Sequence, residues 1–270
     1  MMAIHGGGLR ITYIGGPTAL LEWEGLRFLT DPTFDPSGSE YPTLSYTLRK
    51  TQGPALRPDQ VGTVDAVLLS HDHHFDNLDA AGRRLLDRAP RVLTTTIGAA
   101  RLGSHAIGLV PWESLDLPAP QRGALRVTAT PARHGPAHAD RGPVVGFVLS
   151  PSTEPGSSVY VSGDTVWFED LVEVGRRFTI GVALLFMGAA QIAAAGPWHL
   201  TLTAAEAVEA AHALPEATIV PLHFEGWQHF SQSRTDIEEA FSRAGESHRL
   251  RWPAPGRPMD IPLHAHPGHR

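Results

Sequence analysis

Residues 70–79 read SHDHHFDNLD and directly follow a short apolar run, Ala66-Val67-Leu68-Leu69. Such a run is typical of a strand that is buried on both faces of a sheet. Three histidines and three aspartates within ten positions do not suit a hydrophobic core, because both residue types are costly to bury without partners. A polar helix N-terminus is an alternative interpretation, since Asp and Asn are common caps. The density of imidazoles and carboxylates favours a metal site.

The spacing within this stretch suits a metal ion. If the backbone stays extended beyond the strand, His71 and His73 point to the same side, and one ion can bind both imidazoles at about 2.0–2.1 Å. Other candidate ligands also follow predicted strands, where site residues lie in α/β folds. Singly each is more typical of a loop cap, but together they form a coherent ligand set: His134, Asp164 and His223.

Composition narrows the class of protein. The 270 residues carry 22 Lys and Arg against 28 Asp and Glu, a net charge of −6. This balance argues against nucleic acid as the main partner, because phosphate binding needs a concentrated basic face. The absence of cysteine excludes disulfides, thiolate zinc sites and a cysteine nucleophile. No signal peptide or membrane span is visible, so we expect a cytoplasmic protein without stable membrane association. The 15 histidines point towards metal.

The pattern along the chain predicts a single α/β domain over residues 1–270. Thr203-Ala204-Ala205-Glu206 has the form of a capping box that opens a helix. Residues 37–60 have little periodicity and are predicted to form a long loop over one face. Residues 254–270 are predicted to be an irregular tail, in which His264, His266 and His269 would collect stray metal. Strands are predicted at 9–14, 18–23, 26–29, 66–69, 92–95, 125–129, 144–149, 158–162, 180–186 and 217–221, and helices at 78–87, 168–177, 204–214 and 235–244.

Several stretches, taken together, resemble the metallo-β-lactamase-fold metallohydrolases. They fall in the order of that superfamily and span residues 9–230, and they are most similar to the branch with ascorbate-6-phosphate lactonase and N-acyl-phosphatidylethanolamine phospholipase D. The resemblance implies an α/β four-layer αββα sandwich with the metal site along one edge of its two sheets. The matching stretches are Ile11–Gly15, Leu21–Trp23, Leu29–Pro32, the histidine cluster, Pro131–His134, Ser162–Thr165 and Pro221–Phe224.

The resemblance also implies a ligand set. The first metal would be held by His71, His73 and His134. The second would be held by Asp76, Asp164 and His223, with Asp164 bridging both ions. The expected cofactor is one or two Zn²⁺, and Mn²⁺ or Fe²⁺ would also suit the second position.

The motif departs from the usual His-x-His-x-Asp-His pattern, because one extra residue precedes Asp76. Anchoring the motif on the strand end keeps His71 and His73 as ligands, and we favour this register. Anchoring it on Asp76 instead places Asp72 and His74 in the ligand slots. In either register Asn77 replaces the second-site histidine, and a neutral carboxamide is a weak zinc ligand. The second ion would then be weak, absent or a harder metal.

The expected activity is hydrolysis of an ester, lactone or phosphodiester bond in a small-molecule substrate by water that metal has activated. With a single ion, Asp76 would orient or deprotonate that water. His199 would donate to a substrate oxyanion or phosphate, or it caps a loop carbonyl. Trp227, His229 and Phe230 would line the same mouth. The alternatives are a non-catalytic metal-binding or ligand-binding member and a di-iron redox protein on the same fold. The substrate and the oligomeric state are left open.

Overall fold

The strands and helices are described by a computed structural model that covers residues 8–121, 123–152 and 156–263. These residues form fifteen strands: β1 (Gly8–Gly15), β2 (Thr18–Trp23), β3 (Leu26–Thr30), β4 (Glu40–Pro42), β5 (Thr47–Arg49), β6 (Ala66–Leu68), β7 (Val92–Thr94), β8 (Ala106–Gly108), β9 (Ser114–Ala119), β10 (Gly123–Pro131), β11 (Val145–Pro151), β12 (Ser158–Val161), β13 (Ile180–Phe186), β14 (Thr218–Leu222) and β15 (Pro258–Pro262). The same residues form six α-helices: α1 (Pro58–Val61), α2 (Ala80–Leu86), α3 (Thr96–Leu102), α4 (Val172–Arg177), α5 (Ala204–Ala213) and α6 (Arg234–Arg243).

Two large sheets contain most of the strands. The first has the order β15-β1-β2-β3-β6-β7-β8, and the second has the order β14-β13-β12-β11-β10-β9. Strands β3, β6, β7 and β8 run parallel, as do β12, β13 and β14. The antiparallel pairs β10–β11 and β11–β12 give β10 the direction of β12. The ends of β10, β12 and β14 therefore lie at the same edge of the second sheet.

The hydrophobic core lies in three layers. Alternate side chains of the two sheets meet in the largest cluster, which includes Phe28 from the first sheet and Phe147 from the second. Leu86 of α2 packs against the outer face of the first sheet, and Ile237 and Phe241 of α6 pack against the outer face of the second. Helices therefore cover both outer faces, which confirms the predicted αββα arrangement. The capping box at Thr203 and Glu206 is also confirmed at the start of α5.

Two predictions about irregular segments were wrong in part. The segment 37–60 contains the two-stranded hairpin of β4 and β5, which pair from Glu40↔Arg49 to Pro42↔Thr47, and the start of α1. Residues 258–262 of the predicted tail form β15, which pairs with β1 at the edge of the first sheet. β15 was not predicted because it has a proline at each end, and proline is uncommon in strands. An edge strand nevertheless tolerates proline. His264, His266 and His269 lie outside the described residues. Among the residues that are described, no helix is long and apolar enough to cross a membrane.

Candidate metal centre

Three imidazoles meet where β6 and β10 end. His74 Nδ1 lies 2.9 Å from His71 Nε2 and 3.1 Å from His134 Nε2. Ligand atoms at about 2.0–2.1 Å from a tetrahedral ion are roughly 3.3 Å apart. The three nitrogen atoms are therefore nearly at the spacing that a shared ion requires, with only a small expansion needed to admit it.

The outer nitrogen atoms of two of these rings are already bound. Ser70 Oγ donates to Asp31 Oδ2 at 2.7 Å and accepts from His71 Nδ1 at 2.9 Å. His134 Nδ1 donates to the carbonyl oxygen of Leu200 at 2.8 Å. The Nε2 atoms of His71 and His134 are then both acceptors, and one proton on His74 Nδ1 can satisfy only one of them at a time. A metal cation can accept the lone pairs of all three nitrogen atoms at once, whereas hydrogen bonds between the rings cannot satisfy all of them.

His73 has a contact of its own, although its ring lies only 4.7 Å from the ring of His71. The backbone bends at residues 72 and 73, and Asp72 is anchored there by Arg101 and by Arg83, whose guanidinium donates to the Asp72 carbonyl oxygen at 3.0 Å. His73 Nε2 lies 3.0 Å from the carbonyl oxygen of Arg141, and its Nδ1 has no hydrogen-bond partner. The bend absorbs the extra residue of the motif. The backbone is not extended at these two residues, but His71, His73 and His74 still offer ligand atoms within 4.8 Å of one another, so the register with His71 and His73 as ligands stays a prediction.

A second group combines two carboxylates with imidazoles. Asp164 Oδ1 lies 3.6 Å from His223 Nε2, while Asp164 Oδ2 lies 3.5 Å from His134 Nε2 in the first group. Asp76 Oδ2 is 3.5 Å from His223 Nε2. Asp76, Asp164 and His223 therefore offer three ligand atoms within 4.8 Å of one another. Asp164 lies between the two groups, where the resemblance expects a bridging ligand.

Several polar atoms of the second group are buried without hydrogen-bond partners. They include Asp164 Oδ1 and both ring nitrogen atoms of His223. Because buried polar atoms are normally paired, these orphans indicate that the group is completed by a ligand. Asn77 does not complete it: its side-chain nitrogen donates to Asp31 Oδ2 at 3.2 Å, and its side-chain oxygen has no partner.

His229, in the same loop as His223, also contacts the second group. Its Nε2 lies 3.0 Å from Asp76 Oδ2, and its side chain is 8% exposed. The sequence predicts only that His229 lines the mouth of the site. Its place beside Asp76 was missed, because the turn that follows β14 has no pattern that fixes where residue 229 points.

Burial and neighbouring charges shift the protonation of the site. Burial lowers the pKa of His71 and His74 well below the usual imidazole value, and the neighbouring imidazoles lower it further. Burial also lowers the pKa of His134, to about 4. The rings are therefore neutral at pH 7 and able to bind a metal.

The two carboxyl groups shift in opposite directions. Burial raises the pKa of Asp164 well above its usual value, and the charges of Asp76 and Asp31 raise it further. Burial also raises the pKa of Asp76, but His223 and His229 outweigh it and hold that pKa well below the usual value. Mutual repulsion of buried carboxylates is what a divalent cation would relieve.

The backbone at two strand ends is unusual. His223 follows β14 and has a φ of 52°, which is uncommon outside glycine and is often found at functional sites. Gly163 precedes Asp164 with a φ of 61°, and a Cβ there would lie 2.7 Å from the Val145 carbonyl oxygen and 2.8 Å from Ser70 Cβ. Glycine at 163 therefore lets the strand ends of the two sheets approach closely enough to share a site.

His199 is not among these groups. Its Nε2 lies 3.0 Å from Glu206 Oε1, and its side chain is 40% exposed. Glu206 belongs to the capping box of α5, so His199 packs on the start of that helix. Only its neighbour Leu200 contacts the site, through the carbonyl oxygen that holds His134.

A narrow cleft opens beside both groups. The hairpin of β4 and β5 contributes Tyr46 and Leu48 to one wall, which explains the position of the excursion at residues 37–60. The complete lining is Tyr46, Leu48, His74, Asp76, His134, Arg141, Ala190, Ile192, Leu200 and His229. Arg141 was missed by the sequence analysis, because an arginine in a loop carries no pattern of its own.

A family model described as a β-lactamase superfamily domain matches residues 26–224. A protein of Opitutus terrae, called a UPF0173 metal-dependent hydrolase, is 30% identical over 263 residues, which cover 94% of this chain and 100% of that protein. The chain belongs to the UPF0173 metal-dependent hydrolases of the β-lactamase superfamily. This UPF0173 protein is thus a metal-dependent hydrolase, an enzyme rather than a non-catalytic binding protein. The narrower resemblance to the lactonase and phospholipase branch stays a prediction.

Two solved structures share the fold of this UPF0173 protein. The isothiocyanate hydrolase from Delia radicum gut bacteria has a TM-score of 0.80 and 23% identity, and the match covers 94% of this chain and 99% of that chain. A possible metal-dependent hydrolase from Veillonella parvula has a TM-score of 0.77 and 22% identity, covering 93% of this chain and 99% of that one. These likenesses confirm the α/β metallohydrolase fold.

Proposed function

We propose that the protein hydrolyses an ester, lactone or phosphodiester bond of a small substrate at a centre of two metal ions. One ion is held by His71, His74 and His134. The other is held by Asp76, His223 and His229, and Asp164 bridges the two. One observation carries the proposal: the two oxygens of Asp164 lie 3.5 and 3.6 Å from the Nε2 atoms of His134 and His223.

The proposed ligand set differs from the one that the resemblance implied at two positions. His74 takes the place of His73, because its Nδ1 is within 3.1 Å of two acceptor nitrogen atoms. His229 supplies the imidazole that Asn77 lacks, because it contacts Asp76 at 3.0 Å from the same side as His223. Imidazole-rich ligation at the first position suits zinc, whereas the carboxylates at the second also suit manganese or iron.

Bound ions of this kind activate a water molecule and polarise the oxygen of the bond to be cleaved. The chain's own residues supply orientation and exclude bulk water. Ser70 and Asp31 fix the ring of His71. Leu48 and Ile192 form an apolar wall beside the centre. Cytoplasmic location stays a prediction from the sequence.

The test measures metal content and hydrolysis in the same preparations. Tag-free protein that ends at Leu263 is reconstituted with zinc, and its metal content is measured by mass spectrometry. The end point keeps β15 intact and removes the three tail histidines from the count. Hydrolysis is followed on a panel of small esters, lactones and phosphodiesters, with an isothiocyanate added because of the structural neighbour. We expect about two ions per chain and turnover of at least one substrate class.

Variants at residues 77 and 229 test the assignment of the second ion. His229→Ala should lower the metal content to about one ion, and adding Asn77→His should restore the second by returning the family's usual histidine. His248→Ala, which changes an exposed histidine far from the site, is the matched control. One ion per chain in the unmodified protein would favour a single-ion mechanism with Asp76 orienting the water. No metal after reconstitution would contradict the proposal altogether.

A further inference from the structure

The cleft beside the metal groups contains an arginine, Arg141, among otherwise apolar and metal-binding side chains. The apolar part of the lining consists of side chains such as Leu48, Ile192 and Leu200. The same cleft is lined by His74, Asp76 and His134 of the two metal groups. Arg141 therefore shares a cleft with the centre at which the bond is cleaved.

The backbone of Arg141 is tied to two histidines of the site region. Its N–H donates to the carbonyl oxygen of His134 at 2.8 Å. Its own carbonyl oxygen lies 3.0 Å from His73 Nε2. These contacts fix where the side chain leaves the loop that follows β10, and they make Arg141 a defined element of the cleft wall.

The guanidinium of Arg141 has no ion pair or hydrogen bond with any of residues 8–121, 123–152 and 156–263. The other arginines near the site are engaged. Arg101 pairs with Asp72, Arg83 donates to the Asp72 backbone, and Arg133 lies over the ring of Phe168 at 4.7 Å. Arg141 is half-buried, and a partly desolvated cation without a partner is costly. Its five donors are thus available to something that enters the cleft.

We propose that Arg141 binds an anionic group of the substrate, a carboxylate or a phosphate, and so sets the specificity of the enzyme. The inference rests on the proposed function. A planar guanidinium forms paired hydrogen bonds with either group. The substrate class is a small molecule in which a short apolar segment separates the bond to be cleaved from a negative charge. The segment packs on the apolar wall, and the charge lies against Arg141.

The experiment uses zinc-loaded full-length protein and small anions as probes, so that it does not depend on knowing the substrate. Affinities are measured by calorimetry for malonate, succinate and glutarate and for the monocarboxylates propionate and butyrate. One carboxylate of each probe can bind the metal centre, whereas only a dicarboxylate reaches Arg141 as well. 3-Phosphonopropionate tests a phosphate-like group at the same position.

We expect at least one dianion to bind about tenfold more tightly than the monocarboxylates, the range of a hydrogen bond to a charged group. Arg141→Gln should abolish this preference and leave monocarboxylate binding unchanged, and Arg141→Lys should keep part of it. Tighter binding of the phosphonate than of succinate would identify phosphate as the group, and the reverse order would identify carboxylate. Arg126→Gln is the matched control, because Arg126 pairs with Asp116 on an exposed strand.

Metal content is measured for every variant, which separates the two proposals. Unmodified protein that takes up no zinc contradicts the proposed function. Zinc-loaded protein that binds monocarboxylates and dianions equally, or whose preference survives in Arg141→Gln, overturns the role of Arg141 alone. If Arg141→Gln does not retain zinc, the decision rests on Arg141→Lys, which should keep part of the preference for dianions. The role of Arg141 is also overturned if zinc-loaded Arg141→Lys prefers dianions no more strongly than Arg141→Gln that has been reconstituted at high zinc concentration.

Discussion

The two metal groups of this UPF0173 protein are built differently. The first consists of three imidazoles whose nitrogen atoms lie 2.9 and 3.1 Å apart, and two of those rings are held by Ser70 and by the Leu200 carbonyl. The second combines two carboxylates with imidazoles at 3.0 to 3.6 Å. Its central histidine, His223, has no hydrogen-bond partner on either ring nitrogen.

The difference indicates that the two ions bind with different strength. Ligand rings held by outer hydrogen bonds are already oriented for the ion, which describes the first group. In the second group Asn77 stands where an imidazole is usual, and His229 reaches Asp76 from a separate loop. We therefore expect the first ion to bind more tightly, and the second to exchange more readily and to accept a wider range of metals.

The largest effect is expected at Asp164, the residue that belongs to both groups. Asp164→Asn keeps the shape of the side chain and removes its charge, so both ions lose a ligand. We expect the metal content to fall from about two ions to at most one. The rate of hydrolysis should fall by more than about 100-fold. Changing a residue that only hydrogen-bonds to a metal ligand costs up to about 100-fold, and the loss of a ligand itself should cost more. Mass spectrometry and steady-state kinetics measure the two quantities.

Asp170→Asn is the control for charge, because Asp170 is an exposed carboxylate away from the site. It should change neither metal content nor rate. If Asp164→Asn keeps both ions, the two groups bind their ions independently. Asp164 would then not be a ligand that the two groups share.

The next effect separates the two neighbouring histidines of the motif. His74→Ala should remove the first ion, because His74 Nδ1 is central to that group. His73→Ala should lower the affinity for metal by less than about tenfold, the lower end for an outer residue, because it loses a contact with the Arg141 backbone. Cobalt substitution followed by visible absorption reports occupancy of the first position. Loss of the ion in His73→Ala alone would restore the register that the strand end suggested.

The layers of the fold could be predicted because their causes are local. Alternating strands such as β1 and buried apolar runs such as β6 carry their pattern in a few residues. Strand ends also placed His134, Asp164 and His223 at one edge, where they meet. Three short elements were not predicted, because each is too short to show a recognisable hydrophobic periodicity: the edge strands β8 and β9 and the helix α3.

The finer geometry of the site could not be predicted, because it depends on contacts between distant segments. The bend at residues 72 and 73 is held by Arg101 from α3, and beyond it His74 Nδ1 lies 2.9 Å from His71 Nε2. His229 meets Asp76 only once β14 and the turn after it are packed. Neither contact has a signature in the spacing of the motif.

Lowering the pH should reduce the folding stability of the metal-free protein, and protonation of the first group should contribute more to this loss than protonation of the second. A histidine whose folded pKa lies below its unfolded value contributes less stability as the pH falls from about 6.5 towards that folded pKa. For His134, with a pKa of about 4, this loss is about 3 kcal/mol. The raised carboxyl pKa values of Asp31 and Asp164 act in the opposite direction, but the lowered imidazole pKa values outnumber them: His71, His73, His74, His134 and His223.

Thermal unfolding of chelator-treated and zinc-loaded protein between pH 7.5 and pH 5 measures this effect. The metal-free protein should lose stability steadily over that range, and His134→Gln should have a shallower slope because it removes one of the contributing groups. An equal slope in the two proteins would show that His134 is not the source. A metal-free protein that becomes more stable on acidification would show that the raised carboxyl pKa values of Asp31 and Asp164 dominate instead.

The smallest effect is expected at His199, for which the sequence left two roles open: donating to a substrate oxyanion or phosphate, or capping a loop carbonyl. Its pairing with Glu206 raises the pKa of His199, and the side chain remains 40% exposed. His199→Ala should therefore lower the free energy of unfolding by less than about 1 kcal/mol, the range of exposed ion pairs. The catalytic efficiency, kcat/KM, should stay within about threefold, a barrier change below ~0.7 kcal/mol, because His199 pairs with Glu206 and not with a member of either metal group. Glu206→Gln should reproduce the stability change, because it breaks the same pair from the other side. If catalytic efficiency instead fell by about 100-fold in His199→Ala but not in Glu206→Gln, a loss near 3 kcal/mol of barrier stabilisation, His199 would return to the reacting groups and the site would extend beyond the two metal positions.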